Sequence, residues 1–448
     1  MFNKILIANR GEVALRIIRT CKEMGIRTVA VYSKADEDCL HVSMADEAYC
    51  IGPAPSKESY LNVANILSTA LLAEVDAIHP GYGFLAENAS FAEICEAHHI
   101  KFIGPSSEHI KLMGDKVTAR NTMEKSAVPV IKGSPLLDTI DDAKEYTKKI
   151  GYPIMLKATA GGGGKGMRVV MDEHELESAY NITRSEAQAF FGNDKVYMEK
   201  FIQNPRHIEV QVVADKFGNA CHLGERDCTI QRRHQKLIEE SPSGVVTPEI
   251  REKMAEAAIN AVKAINYEGV GTIEFLFDGK DFYFMEMNTR LQVEHCVTEM
   301  VTNKDLVREQ IAIAAGEKLS FTQDEVKIKG HAIECRINAE NPDKDFMPCP
   351  GEIEGYIAPG GFGVRVDSHV YSKYKIPPNY DSMIAKLICW GENREEARIR
   401  MLRAISEYVI LGVNTTIPFH KKILRNRSFI KNNYSTKFVE EEMTKVEI

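Results

Sequence analysis

The sequence is organised around GTIEFLFDGKDFYFMEMNTRLQVEH, residues 271–295. Two runs rich in aromatic and β-branched residues, TIEFLF and FYFMEMN, flank the turn sequence DGKD, and this pattern predicts a β-hairpin. If the hairpin is centred on Lys280, Glu274 lies directly opposite Glu286. Two carboxylates that face each other repel, so the pair either faces water or holds a cation between its members.

We interpret the facing carboxylates as a cation site. Asn288 follows Glu286 by two residues and therefore lies on the same face, where it adds a neutral oxygen ligand. Carboxylate and amide oxygens suit Mg²⁺ or Mn²⁺, whereas zinc would require His or Cys, which are missing from these face positions. The alternative is an acidic hairpin edge in water. Arg290, Gln292 and Glu294 continue the predicted polar face, and this concentration of charges and amides favours the cation site.

Length and composition limit the classes of protein to consider. The 448 residues are enough for about three domains, and a net charge of −8 argues against general nucleic-acid binding. The sequence predicts no membrane span, and the apolar run in MFNKILIANRGEV is too short for a signal peptide. The 10 cysteines show neither C-x-x-C nor zinc-type spacing, which is typical of reduced thiols in a cytoplasmic protein.

The N-terminal region alternates short apolar strands with amphipathic helices. This alternation predicts a doubly wound α/β domain over residues 1–104. Its first turn, ANRGE, lacks the G-x-G-x-x-G fingerprint, so a dinucleotide site is not expected there. The loop HPGYGFLAEN lies where the carboxyl edge of the sheet is expected, and Tyr82 and Glu87 within it are either ligand-binding or structural.

The glycine-rich segment TAGGGGKGMR, residues 159–168, marks a second domain. Residues 105–130 are predicted as a linker containing one connecting helix, and residues 131–203 as the small domain itself. The segment fails the Rossmann pattern because no helix follows it, and it fails the Walker pattern because Lys165 precedes Gly166 instead of Ser or Thr. We interpret it as a flexible lid whose backbone N–H groups fold over phosphates; a plain surface turn is the alternative.

The remaining residues, 204–448, are predicted as a C-terminal α/β domain. The cluster GERDCTIQRRHQK, residues 224–236, indicates an anionic ligand or, alternatively, a charged loop in water. The pattern HAIECRIN predicts a strand over residues 331–338 with Arg336 on its polar face. The tail after Asn426 is predicted to be a short surface extension.

Eight motifs in this order resemble the biotin carboxylase component of biotin-dependent carboxylases, in the ATP-grasp superfamily. They are ILIANRGE, HPGYGFLAEN, KATAGGGGKGMR, MEKFI, GERDCTIQRRHQK, MEMNTRLQVEH, HAIECRINAE and YDSMIAKL. The resemblance covers nearly the whole chain and implies an α/β ATP-grasp fold with a Rossmann-like N-terminal domain, a small lid and a larger C-terminal catalytic domain. It implies an ATP-dependent ligase that carboxylates biotin with bicarbonate and releases ADP and phosphate, as the first half-reaction of acetyl-CoA carboxylase or a related carboxylase.

The resemblance also implies roles for individual residues. For the metal it implies the same three ligands as the hairpin argument, Glu274, Glu286 and Asn288. The nucleotide contacts it implies are Lys116, Lys157, Gly162, Gly163, Gly164, Met167, Glu199, Lys200, Ile202, His207, Gln231, His234 and Leu276. The bicarbonate and biotin contacts are Tyr82, Lys236, Arg290, Gln292, Val293, Glu294 and Arg336, of which Lys236, Arg290, Glu294 and Arg336 are the implied catalytic residues. One position departs from the family pattern: Cys296 stands where Pro is usual, which predicts a less rigid chain locally.

The resemblance implies ATP and Mg²⁺ or Mn²⁺ as cofactors and a homodimer as the assembly. The chain contains no Met-Lys-Met biotin-attachment sequence, so biotin is expected on a separate carrier protein that also serves carboxyltransferase subunits. Another ATP-grasp ligase, such as half of a carbamoyl-phosphate synthetase or a purine-pathway carboxylating synthetase, is disfavoured because RRHQK and RLQVEH occur together. An NAD-binding oxidoreductase or an inactive scaffold would fit the first βαβ unit but predicts no ATPase activity.

Overall fold

The computed structural model describes residues 1–159 and 166–443. No helix within these two ranges is both long and apolar enough to cross a membrane.

The N-terminal region forms a parallel sheet of order β3-β2-β1-β4-β5, as the alternation of strands and helices predicts. The polar turn after the first strand is held by Asn9, whose Nδ2 donates to the carbonyl oxygens of Pro80 and Tyr82 at 2.7 Å each. The loop that carries Tyr82 is therefore tied to the carboxyl end of the first strand. The strands are β1 Lys4–Ile7, β2 Arg27–Ser33, β3 Glu47–Gly52, β4 Ala77–His79 and β5 Lys101–Phe102, and the helices are α1 Gly11–Glu23, α2 Leu40–Met44, α3 Val63–Leu72 and α4 Ala89–Ala97.

The connecting segment forms two helices, α5 Ser107–Gly114 and α6 Lys116–Lys125, where one was predicted. Asp115 separates them because its backbone is extended and its carboxylate accepts the Thr118 N–H at 2.7 Å, which caps the second helix. The break places Lys116 in the first turn of α6.

A second, three-stranded sheet has the order β7-β6-β8. Its central strand spans Ile154–Ala158, and both neighbours are antiparallel to it. Leu156 and Val170 pack with Leu176 and Tyr180 of the long covering helix. The elements are β6 Ile154–Ala158, β7 Met167–Val170, β8 Val196–Lys200, α7 Ile140–Ile150 and α8 Glu173–Phe191.

The largest sheet is antiparallel and has the order β13-β12-β9-β10-β11-β14-β21-β19. Its strands are β9 Arg206–Ala214, β10 Ala220–Arg232, β11 Gln235–Ser241, β12 Gly269–Phe277, β13 Phe282–Asn288, β14 His331–Asn338, β19 Val364–Ser368 and β21 Met383–Gly391. Shorter strands are β15 Glu340–Asn341, β16 Met347–Pro348, β17 Gly351–Glu352, β18 Gly355–Ile357, β20 Lys375–Ile376 and β22 Val409–Leu411. The helices are α9 Pro248–Ala264, α10 His295–Thr302, α11 Leu306–Ala314, α12 Arg394–Glu407, α13 Ile417–Arg425 and α14 Arg427–Ile430, followed by a π-helix at Val439–Met443.

One alternative is excluded and one sequence-based expectation is corrected in this region. The basic cluster at residues 224–236 is not a loop, because most of it belongs to β10 and β11, which are joined by a tight turn at Arg233 and His234. The tail after Asn426 is not a surface extension, because Phe429, Phe438 and Val439 are buried in the core. The charged residues of the cluster pair with residues that are distant in the sequence, and the apolar residues of the tail pack against distant parts of the core. A local sequence pattern shows neither kind of contact.

Candidate active site

The β12–β13 hairpin has the predicted pairing of Glu274 with Glu286, but a bulge is needed to achieve it. Near the turn, Phe275 pairs with Phe284, a register that would set Glu274 opposite Met285 if it continued. The register shifts by one residue between Glu274 and Phe275, so Met285 is the extra residue of the bulge. The bulge thereby places the two carboxylates opposite each other.

The two facing carboxylates have different surroundings. Glu274 Oε1 accepts hydrogen bonds from Asn288 Nδ2 at 2.8 Å, Gln292 Nε2 at 2.7 Å and Lys236 Nζ at 3.0 Å. Burial acts to raise the pKa of Glu274, but Lys236 and His207 outweigh it and hold this pKa well below its usual range. The His207 Nε2 lies 3.0 Å from Glu274 Oε2.

Glu286 is only half-buried, and no donor among residues 1–159 and 166–443 forms a hydrogen bond with it. Burial and the charge of Glu274 raise the pKa of its carboxyl. Together with Lys116, Asn288 and Glu87, it lines a cavity of about 200 Å³. A carboxylate that lacks a donor, lines an open cavity and is paired with a second, ionised carboxylate on the neighbouring strand fits a divalent cation. The amide of Asn288 now donates to Glu274 and accepts from Arg290 Nη2 at 2.9 Å.

Lys236 lies at the centre of the charged cluster. Its Nζ contacts Glu209 Oε2 at 2.7 Å, Glu274 Oε1 at 3.0 Å and Glu294 Oε1 at 2.6 Å. Burial acts to lower the pKa of this ammonium, but the three carboxylates together raise it well above its usual range. Lys236 is therefore a permanent cation that is already surrounded by anions.

The prediction that Arg290, Gln292 and Glu294 continue the strand is wrong. Strand β13 ends at Asn288, and residues 289–294 are not part of a strand. They form a turn that leads into α10, and Glu294 occupies the position just before that helix. The turn is held from behind by Lys386, whose Nζ donates to the Val293 carbonyl oxygen at 2.9 Å. The three predicted side chains still converge on the cluster, but through the turn and its partners instead of strand alternation.

Arg336 joins the cluster from β14. Its Nε donates to Glu239 Oε1 at 2.6 Å, and its Nη2 donates to Glu294 Oε2 at 2.9 Å. Glu294 thus bridges Lys236 and Arg336, and these cations, with Arg226, lower the pKa of Glu294 although burial opposes them. Burial raises the pKa of Glu239 to about 7.

The N-terminal loop reaches this region through Glu87, whose Oε1 accepts the Thr289 N–H at 3.4 Å. Glu87 Oε2 accepts from Arg290 Nε at 2.8 Å, so the structure connects Glu87 to the predicted site. Tyr82 donates from its hydroxyl to Glu12, and Glu12 Oε1 lies 3.3 Å from the Lys386 ammonium. Tyr82 thus belongs to the buried contacts behind the turn that Lys386 holds, and its predicted substrate contact stays a prediction.

The predicted nucleotide residues are distributed around the cavity and the small domain. Lys157 forms an ion pair with Glu199, and Lys200 Nζ donates to the carbonyl oxygens of Gly151 and Tyr152 at 3.1 and 2.6 Å. The remaining members are Ile202 just after β8, Met167 at the start of β7, Leu276 in β12, Gln231 in β10 and the exposed His234 in the turn between β10 and β11. Gly162, Gly163 and Gly164 lie outside the described residues.

Sequence reasoning missed three residues that contact the cluster: Glu209, Arg226 and Lys386. Glu209 pairs with Arg226 across β9 and β10 in the sheet and carries the third carboxylate on Lys236. Lys386 is fully buried and also contacts the Cys296 Sγ at 3.2 Å. For Lys386 the signal available in the sequence was a charged residue inside an otherwise apolar strand, which indicates a buried partner without identifying it.

Cys296, which occupies the position where proline was expected, is the second residue of α10. Its Sγ also lies 3.2 Å from Asp367 Oδ2, so the thiol joins the contacts that hold the turn. Burial raises the pKa of this thiol well above its usual range, which keeps it protonated.

Comparison with known families covers most of the chain in three parts. A family model described as "Biotin carboxylase, N-terminal domain" matches residues 1–110, and "Biotin carboxylase C-terminal domain" matches residues 334–441. Between them, "Carbamoyl-phosphate synthase L chain, ATP binding domain" matches residues 115–322.

Individual proteins are similar over their whole length. Biotin carboxylase 1 of Bacillus subtilis is 59% identical over 443 residues, which cover 98% of each chain. A crystal structure of the Campylobacter jejuni biotin carboxylase in complex with β,γ-ATP is 54% identical, with a TM-score of 0.93 and coverage of 98% of this chain and 99% of that one. The biotin carboxylase domain dimer of Hydrogenobacter thermophilus 2-oxoglutarate carboxylase, solved with MgADP, ADP and bicarbonate, is 50% identical, with a TM-score of 0.91 and 98% coverage of both chains.

Proposed function

Because this chain belongs to the biotin carboxylase family, we propose that its ATP-dependent carboxylation of biotin takes place at the cluster around Lys236 and Arg336. The chain is an ATP-dependent ligase with an ATP-grasp fold. The observation that carries the site proposal is the set of three carboxylates, from Glu209, Glu274 and Glu294, around one buried ammonium. Such a cluster holds its cation and its bases in fixed positions before any substrate arrives.

Bicarbonate is proposed to bind between Lys236 and Arg290, with Gln292 and the backbone at Val293 beside it. Lys236 contacts Glu274 of the hairpin and Glu294 of the turn, and Arg290 is held by Glu87 and Asn288. From there the bicarbonate oxygen attacks the γ-phosphate of ATP and gives carboxyphosphate and ADP. The contribution of these residues is to position the two anions and to offset their repulsion.

Glu294 is proposed to remove the proton of bicarbonate, and Arg336 to stabilise the ureido oxygen of biotin as its nitrogen loses a proton. The phosphate released from carboxyphosphate is the proposed base for that second proton. Arg336 suits this role because Glu239 and Glu294 hold its Nε and Nη2 and so fix the orientation of its guanidinium. Carboxyphosphate hydrolyses readily, so a lid that covers the nucleotide is part of the proposal.

The small domain is proposed to be that lid, with Lys116 and Lys157 contacting phosphates and Glu199, Lys200 and Ile202 along the adenine. The open side of the Glu286 carboxylate beside Lys116 supports a nucleotide whose phosphates reach this cavity. We propose Glu274, Glu286 and Asn288 as the ligands of Mg²⁺ or Mn²⁺, which would neutralise phosphate charge. The biotin is proposed to arrive on a separate carrier protein that also serves a carboxyltransferase, and the chain to form a homodimer.

The test of this function is ADP release with purified protein. We expect release to require ATP and bicarbonate and to increase with added biotin or with a biotinylated carrier. A rate of ADP release that does not change when biotin is added would indicate a different ATP-grasp ligase. Binding of NAD without ATP cleavage would indicate the oxidoreductase alternative.

Removing one proposed metal ligand should weaken metal binding while the fold is kept. For Glu286→Gln we expect Mn²⁺ affinity, measured directly by titration, to fall by at least the roughly 10- to 100-fold that loss of an outer-shell partner causes. Asp281→Asn is the matched control, since it removes one negative charge from an exposed position of the same hairpin. Equal Mn²⁺ affinities for the two variants would contradict the metal assignment.

A further inference from the structure

Arg226 is fully buried in β10 and is surrounded by the side chains of residues that line the cluster. Its guanidinium N–H groups donate to five different oxygens. These are Glu209 Oε1 at 2.5 Å, Gln211 Oε1 at 2.6 Å, Gln292 Oε1 at 2.6 Å, Thr298 Oγ1 at 3.0 Å and Thr272 Oγ1 at 3.1 Å.

The contact with Gln292 determines which way its amide faces. A guanidinium can only donate, so the amide atom 2.6 Å from Arg226 Nη2 must be the oxygen. The amide nitrogen then points the other way and donates to Glu274 Oε1 at 2.7 Å, where an ionised carboxylate can only accept. Both neighbours therefore favour the same orientation. The second N–H of this amide donates to no residue within 1–159 or 166–443 and is available to an anion.

The contact between Arg226 and Glu209 leaves each oxygen of that carboxylate with a different partner. Arg226 Nε occupies Oε1, and Lys236 Nζ contacts Oε2 at 2.7 Å. With Oε1 occupied, Glu209 cannot turn both oxygens toward Lys236. Arg226 therefore limits how strongly Glu209 attracts the ammonium that is proposed to bind bicarbonate.

We propose that Arg226 is a positioning residue for the bicarbonate site: it fixes the amide of Gln292 with an N–H toward the anion, and it fixes Glu209 so that Lys236 stays directed at the pocket. This inference rests on the proposed function, because it acts through Gln292 and Lys236. Arg226 is not a catalytic residue, since the residues around it separate it from the cavity.

The competing explanation is that Arg226 only stabilises the sheet, as a buried arginine with partners on two strands, one helix and one turn would. The two explanations differ in their kinetic effect. A purely structural arginine would change the melting temperature and the amount of folded protein. A positioning arginine changes KM for bicarbonate in the folded fraction while KM for ATP stays nearly constant.

The experiment compares Arg226→Lys with wild type by bicarbonate-dependent ATP cleavage. We expect KM for bicarbonate to rise roughly 10-fold, the effect of losing one hydrogen bond from a charged group, with KM for ATP nearly unchanged. In a Gln292→Ala background the same substitution should add much less, because the group that it orients is gone. An unchanged KM for bicarbonate, or fully additive effects in the double variant, would overturn the proposal.

A milder pair of variants keeps the test informative if Arg226→Lys does not fold. Thr298→Val removes one acceptor of Arg226, whereas Thr302→Val, one turn later on α10, removes a buried hydroxyl that donates to the Thr298 carbonyl oxygen at 2.7 Å. We expect Thr298→Val to raise KM for bicarbonate roughly 2- to 5-fold, less than Arg226→Lys because the other four hydrogen bonds of Arg226 remain, and Thr302→Val to leave it unchanged. Equal effects from the two would contradict the proposal.

Failure of the proposed function has a different outcome. If Gln292→Ala alone leaves KM for bicarbonate unchanged, the bicarbonate site itself is wrongly assigned and Arg226 loses its role with it. If Gln292→Ala raises KM but Arg226→Lys and Thr298→Val do not, the site stands and only the positioning role fails.

Discussion

Glu294→Gln should lower kcat for bicarbonate-dependent ATP cleavage by roughly 100- to 10,000-fold, the range for loss of a general acid or base, while ATP affinity stays nearly constant. The substitution keeps the shape of the side chain but removes its charge. In the structure that charge lies between Lys236, at 2.6 Å, and Arg336, at 2.9 Å. The low pKa of Glu294 keeps it ionised throughout the neutral range, so the carboxylate is present to accept a proton.

The same contacts allow a second explanation, in which Glu294 only holds the two cations in place. This explanation predicts a raised KM for bicarbonate with nearly normal kcat, so the division between kcat and KM decides between them. Glu225→Gln is a suitable control, because Glu225 is also a buried carboxylate of the large sheet but pairs with Arg251 at 2.7 Å. We expect the control to lose stability and to keep kcat in the folded fraction.

Lys236→Met should abolish measurable activity and destabilise the fold by about 3–5 kcal/mol, as expected when one partner of a buried ion cluster is removed. Lys236 is the shared partner of Glu209, Glu274 and Glu294, so its loss leaves three buried carboxylates close together. Lys101→Met is the control, because Lys101 forms one partly exposed pair with Glu268 at 3.5 Å and should contribute little.

The pH dependence of stability should change sign in this variant. In the wild type the pKa values of Glu274 and Glu294 are lowered in the folded state, so their contribution is present above their unfolded pKa and is lost as the pH falls through the folded pKa. Without Lys236 we expect burial and mutual repulsion to raise these pKa values above their unfolded values. The variant should then become relatively more stable as the pH falls from neutral, measured by denaturant unfolding at several pH values. A parallel loss of stability in both proteins on acidification would contradict this account of the cluster.

The sequence predicted the parts of the site that depend on local periodicity. The face shared by Glu286 and Asn288 follows from the two-residue period of a strand, and the pairing with Glu274 follows from a hairpin centred on Lys280. The prediction reached the correct pair although it contained no bulge, because placing the centre on Lys280 allowed for the extra residue. The N-terminal parallel sheet could also be predicted from the sequence, because its strands and helices alternate in short segments.

Other features depend on contacts between distant residues and could not be read locally. The charged run ending at Lys236 resembles a solvated loop, because a sequence window does not show that Arg226 is matched by Glu209 and Gln292. The turn at residues 289–294 has an alternation that also suits a strand, and its true conformation depends on Lys386, almost a hundred positions later. The proposed roles of individual residues in binding nucleotide, bicarbonate and biotin come from the family resemblance, because local sequence patterns do not specify them.

The ion cluster has a consequence for how the large sheet opens. Its anions and its cation come from separate strands, with Glu209 on β9, Glu274 on β12 and Lys236 on β11. If one of these strands separated alone, the others would keep buried charges without partners, which costs far more than the hydrogen bonds of one strand. Partial opening is therefore suppressed, and amide hydrogens on the three strands exchange with solvent through a shared, near-global unfolding event instead of by independent fraying.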